Sequence, residues 1–208
     1  MSNDRSLSGQ PILWGPLSVA ALALFLIFTP GWAMTDIRSI SLQGLKLGAS
    51  QSEVQSALPR MFFQNVPYED PSVGLSYVPF YGKEAIAQIT GSSQMVDGDR
   101  VTNVATNLTG DGQLYRIEVQ EVDPNLTCAS IFQDNLDLHG EPQLSQEPYL
   151  LEWLQRDFDF DQNYKVECFD GRRAIFILED RRALERYLAK LRKELNTSID
   201  QTLTRGGR

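Results

Sequence analysis

The chain is poor in the residues that most catalytic chemistry needs: its 208 residues include one histidine, His139, and two cysteines, Cys128 and Cys168. These are too few for the closed tetrahedral Cys/His shell of a structural zinc site. A Ser-His-Asp triad could form only around His139, and no Gly-x-Ser-x-Gly elbow presents a nucleophile to it. Long apolar runs are also missing. The longest, residues 17–28, has twelve residues interrupted only by Ser18, against the roughly 20 that span a bilayer. Positive charge is scarce until the end of the chain: residues 34–180 carry 23 acidic against 10 basic side chains, a net of −13. An acidic body repels phosphate backbones, so nucleic acid is not an expected partner.

A run of that length suits the core of a cleavable secretory signal. Pro30 breaks the helix behind it, and Gly31 and Ala33 supply small residues for a signal peptidase, so residues 1–33 are expected to be removed before Met34. The leader is weakly charged, because Asp4 offsets Arg5. Extending the apolar stretch back to Ile12 gives the alternative of an uncleaved N-terminal anchor that leaves the rest of the chain in the same compartment. No cysteine follows the run, which argues against a lipoprotein. The cysteine pair agrees with export to a periplasmic or secreted location, since one Cys128–Cys168 disulfide is the simplest use of an even count in an oxidising compartment. Two buried free thiols are the alternative.

Residues 34–195 read as one exported domain. An imperfect alternation at Ile37, Ile40, Leu42, Leu45 and Leu47 predicts a strand that enters a helix. Ser50 and Glu53 have capping-box spacing, Val54, Ala57, Leu58 and Met61 share a face, and Pro59 limits that helix. Residues 67–93, rich in Pro, Gly and aromatics, read as a long surface excursion with room for one short strand or helix. Residues 101–108 and 114–122 flank an Asp111-Gly112 turn as a hairpin. Thr127 caps a second helix with apolar Ala129, Ile131, Phe132, Leu136 and Leu138, ended by Gly140. A second hairpin pairs residues 164–169 with 173–178, and Asp180 caps a last amphipathic helix bearing Leu184, Tyr187, Leu188, Leu191 and Leu195. Residues 196–208 read as a disordered polar tail. The fold class is therefore α+β, an antiparallel sheet of two hairpins with short helices packed on one face. The order of elements admits a tandem helix-plus-hairpin unit.

The segment Gly44-Leu45-Lys46-Leu47-Gly48-Ala49-Ser50, followed by Glu53-Val54 and Ala57-Leu58, resembles the opening of the SmpA/OmlA (BamE-like) family of exported bacterial proteins. There a strand ending in Gly-Met-Ser or Gly-Met-Thr leads into a short helix and an Asp-Gly hairpin, which Asp111-Gly112 matches. Beta-lactamase-inhibitor-protein-like folds are similar in their helix-plus-sheet unit, sometimes doubled. The likeness covers about 15 residues and the element order. Ala49 replaces the usual Met, and the lipid-bearing cysteine is absent. The resemblance implies an envelope protein that binds other proteins.

Residue clusters add candidates. Asp157, Asp159, Asp161 and Asn163 alternate with Phe158, Phe160 and Gln162, an oxygen-rich set that suits calcium, although Gln162 and Cys168 stand where a calcium loop needs Gly and Glu. The competing reading is a solvated strand face. His139, at a helix end, reads as a dipole or carbonyl cap. Tyr77, Phe80, Tyr81 and Trp153 could form a partner-binding patch or belong to the core. Arg182, Arg186 and Lys190, with Lys193, make a basic stripe fit for an acidic partner or for peripheral contact with anionic lipid. The function expected is binding of another envelope or secreted protein, as scaffold or inhibitor, with no cofactor. A calcium or small-ligand module and a carboxylate-dependent hydrolase are the alternatives.

Overall fold

The computed structural model describes residues 36–70, 75–76, 85–156, 161–169 and 171–206. The expected signal or anchor therefore lies outside the described residues. So do Tyr77, Phe80, Tyr81, Asp157 and Asp159.

The chain enters through a 3-10 turn, Ile37–Ser39, where a strand was expected. Leu42 and Leu45 then exchange two backbone hydrogen bonds of 2.9 Å. Gln43 and Gly44 between them both have positive φ, 52° and 75°, the requirement of a two-residue type I′ turn. The apolar residues of this stretch are thus spaced for a folded-back turn that buries Ile37, Ile40 and Leu45, and the apparent alternation was incidental. Helix α1 (Gln51–Ala57) follows with the expected capping box, Glu53 N donating to Ser50 Oγ and Ser50 N to Glu53 Oε2.

Next comes a meander of β1 (Phe62–Pro67), β4 (Ile86–Asp97), β5 (Arg100–Thr109) and β6 (Leu114–Val122). The short pair β2 (Glu69–Asp70) and β3 (Leu75–Ser76) is inserted after β1. The pattern then repeats. Helix α2 (Cys128–His139) precedes β7 (Leu144–Gln146), β8 (Leu150–Arg156), β9 (Asp161–Phe169) and β10 (Arg173–Asp180). The last strands of the two meanders pair antiparallel, giving among the described residues one eight-stranded sheet in the order β1-β4-β5-β6-β10-β9-β8-β7. The fold is α+β as expected, with a larger sheet: each helix leads a four-stranded meander and not a hairpin alone. Both expected hairpins are present, β5 with β6 and β9 with β10.

The excursion expected over residues 67–93 contains most of β4. Gly91 and the Ser92-Ser93 pair hid it by lowering its strand propensity. Gly91 has a packing reason, because a Cβ there would meet Met61 Sδ at 2.9 Å and Phe63 at 3.0 Å, the close approach a strand glycine often marks.

Side chains alternate across the sheet. Ile89, Val104, Leu108, Ile117, Val119, Leu151, Trp153, Tyr164, Val166, Cys168, Ala174 and Leu178 form one cluster with Ile37, Ile40, Leu45, Val54, Leu58, Ile131 and Phe132 from the covering turn and helices. The opposite face carries ion pairs of Arg116 to Glu118 and Glu179, and of Lys165 to Glu167, beside the half-buried Ile175 and the buried Ile177. Cys128 and Cys168 are joined by a disulfide, with Cα atoms 5.6 Å apart, tying the first turn of α2 to β9.

Helix α3 runs Ala183–Gly206, so the helix continues through residues that read as a frayed tail. Its start is held by Asp180, which accepts from Arg182 N at 3.1 Å and pairs with Arg186 Nη2 at 2.8 Å. Tyr187 Oη donates to Ile86 O at 2.9 Å, docking the helix beside the beginning of β4.

Candidate functional site

A cleft of about 610 Å³ opens between the turn at residues 39–43, the C-terminal half of α2 and the sheet. Apolar Ile40, Leu42, Ile131, Leu138 and Phe176 line it together with Glu121, Asp134, Asn135, His139 and Tyr164. The sequence builds it simply. Thr127 caps α2 through Ser130 N, and Gly140, with φ 72°, ends it. This sets Asn135 and His139 one turn apart above β9.

At its floor is a fully packed polar and aromatic cluster. Tyr164 Oη donates to Asn135 Oδ1 at 2.7 Å, and Asn135 Nδ2 donates to Ile131 O at 2.8 Å. Trp153 Nε1 donates to Gly140 O at 3.1 Å. The His139 ring meets Tyr164 and Trp153 edge-on, with centroids 5.1 Å and 5.8 Å away. Burial pushes the Tyr164 hydroxyl well above its ordinary range, aided by the charge of Glu121. Burial lowers His139, whose Nδ1 is enclosed without a hydrogen-bond partner. Glu121 is itself held by Arg100 at 2.8 Å. The cleft thus presents a neutral imidazole, a neutral phenol and a balanced Glu121, leaving the exposed Asp134 at its mouth.

His139 therefore belongs to an aromatic cluster, and the helix-end backbone bond is made by Gly140 N to Leu136 O at 2.8 Å. The sequence was misleading about α2 in three more places, the first being Ala129, which reads as part of the apolar face and is exposed. Leu138 is 72 % exposed at the cleft rim, while Asn135 is 7 % exposed on the inner face. The signal that could have found this site is Asn135, a polar residue four positions after Ile131 on a buried stripe. Glu121, Asp134 and Tyr164 carry no comparable mark.

Other candidates are dispersed. Trp153 is 1 % exposed and is part of the core, so it cannot belong to a surface patch. Asp161 pairs with Arg156 at 3.1 Å, and Asn163 is buried with its Nδ2 on Glu152 Oε1 at 2.9 Å. Asn163 therefore does not lie on a solvated strand face. Among the described residues no group of three or more His, Cys, Asp or Glu side chains is placed to hold a metal ion. Arg186 is spent in part on Asp180, Arg182 flanks it, and Lys190 is exposed farther along α3. Among the described residues no helix is long and apolar enough to cross a membrane.

No family model, curated protein or solved structure matches the chain.

Proposed function

We propose that this is an exported, non-catalytic protein that binds another protein of its periplasmic or extracellular compartment through the α2 cleft. The observation that carries the reading is the composition of that cleft: an exposed leucine, Leu138, at the rim of a trough with apolar walls and a polar and aromatic floor, with Asp134 beside it. An apolar anchor pocket with a charged rim is the usual form of a protein-binding hot spot. Within the trough Tyr164 is hydrogen-bonded to Asn135 and Glu121 is paired with Arg100, so both groups are held in structural contacts, which favours a recognition surface. Export is supported by the disulfide and by the twelve-residue apolar run near the chain start. The partner's matching surface is an apolar side chain next to Lys or Arg.

The test is capture of the oxidised protein's partner from the exporting cell's envelope and medium, followed by calorimetry with the purified partner. Leu138→Asp and Asp134→Lys, both at exposed positions, are expected to weaken binding at least about tenfold while leaving the melting temperature unchanged. Binding that ignores both substitutions would remove the cleft from the interaction.

A further inference from the structure

Among the described residues strand β1 closes one end of the eight-stranded sheet, and five of its six residues are exposed. Natural sheet edges are protected against pairing by charge, by proline or by bulges. This one has no charged residue in Phe62-Phe63-Gln64-Asn65-Val66-Pro67, and its proline and register shift both fall at the last position. Phe62, 70 % exposed, and Val66, 37 % exposed, share one face with Gln64 between them. The edge at the other end, β7, is only three residues long.

We propose that β1 pairs antiparallel with β1 of a second copy of this chain, about a two-fold axis at Gln64, joining two sheets into one. Three features fit a second copy and not an arbitrary strand. Phe62 of each copy falls opposite Val66 of the other, an aromatic–β-branched pair formed twice. Gln64 falls opposite itself, and a carboxamide both donates and accepts. Arg60 precedes the strand and Glu69 and Asp70 follow it. The sequence flanking the strand is thus basic before it and acidic after it, the order an antiparallel self-pairing needs, while the strand itself is uncharged, which two chains of net charge −8 need in order to approach. The contact is isologous, so it closes at two copies. A single strand pair buries less than the roughly 1,200–2,000 Å² of a stable interface, so the dimer is concentration-dependent.

The experiment uses the protein purified oxidised from cells expressing the whole chain. Light scattering between about 1 and 200 µM is expected to report a mass rising from one copy toward two. Gln64→Cys places thiols directly opposite across the axis, about 4.5–5.5 Å apart at Cβ, and forms a reducible dimer. Val96→Cys, on a residue 66 % exposed near the far end of β4, does not. Gln64→Lys sets like charges against each other and raises the dissociation constant at least about tenfold. A one-copy mass at every concentration with no cross-link at position 64 overturns the proposal. So does a dimer that Gln64→Lys leaves unchanged, or a cross-link that forms equally at position 96.

Discussion

His139 is the residue whose environment departs furthest from what its type suggests. It sits at a helix C-terminus, where a protonated imidazole would be favoured by the dipole, yet burial among Tyr164, Trp153 and the α2 backbone lowers its affinity for a proton. The unfolded chain then takes up a proton near the ordinary 6.5, while the folded protein resists until lower pH. The stabilising contribution is complete above the ordinary value and is lost as pH falls through it toward the folded value. Urea unfolding at pH 7.5 and 5.5 should therefore show a loss of stability on acidification that His139→Phe reduces. An equal loss in both proteins would mean that the ring is not held neutral. The neighbouring Tyr164–Asn135 bond gives the cluster its rigidity, because a buried phenol without its acceptor costs about 1–3 kcal/mol.

At the scale of elements, α2 is fastened to the sheet at both ends. The disulfide joins its first residue to β9, and Gly140 at its C-terminus accepts from Trp153 on β8. The bridge closes a 40-residue separation, which on the chain-entropy model stabilises the fold by about 4 kcal/mol. Reduction should lower the denaturation midpoint and loosen α2 before the rest of the sheet. Hydrogen exchange with and without reductant measures this, with α2 amides expected to lose protection first. Uniform loss across both meanders would place the contribution in global stability alone. The cleft depends on the same anchoring, since α2 forms one of its walls.

For the whole molecule, the two helix-plus-meander halves share a sheet through β6 and β10 and share one apolar cluster. A repeat with separate cores would unfold in steps, whereas this arrangement predicts a single transition. Trp153, the only tryptophan after residue 33, reports the second half, and far-UV circular dichroism reports both. Coincident urea curves from the two probes are expected. Separated curves would mean that the halves are independent units.

Local signals were legible where the chemistry is local. The Ser50–Glu53 box, the Thr127 cap, the Asp111-Gly112 turn and the alternation of Ile117 and Val119 with Arg116, Glu118 and Gln120 each depend on neighbours a few residues away, and each element stands where it was read. The cysteine pair was legible as well, because an even count of two leaves one pairing. The interior strand β4, next to the edge, was not, since Gly91, Ser92 and Ser93 carry no strand signal and are tolerated because β1 and β5 flank them on both sides. Nor was the cleft. Asn135, Glu121 and Tyr164 lie on three elements, and burial that shifts the proton affinities of Tyr164 and His139 arises only when α2 closes over the sheet. The sequence by itself determined the α+β class, the caps, the turns and the disulfide. Tertiary structure decided that the two meanders join by their last strands, which leaves β1 as an uncharged edge and half-buries the single histidine against Tyr164 and Trp153, because strand pairing order and burial depend on contacts between residues far apart in the chain.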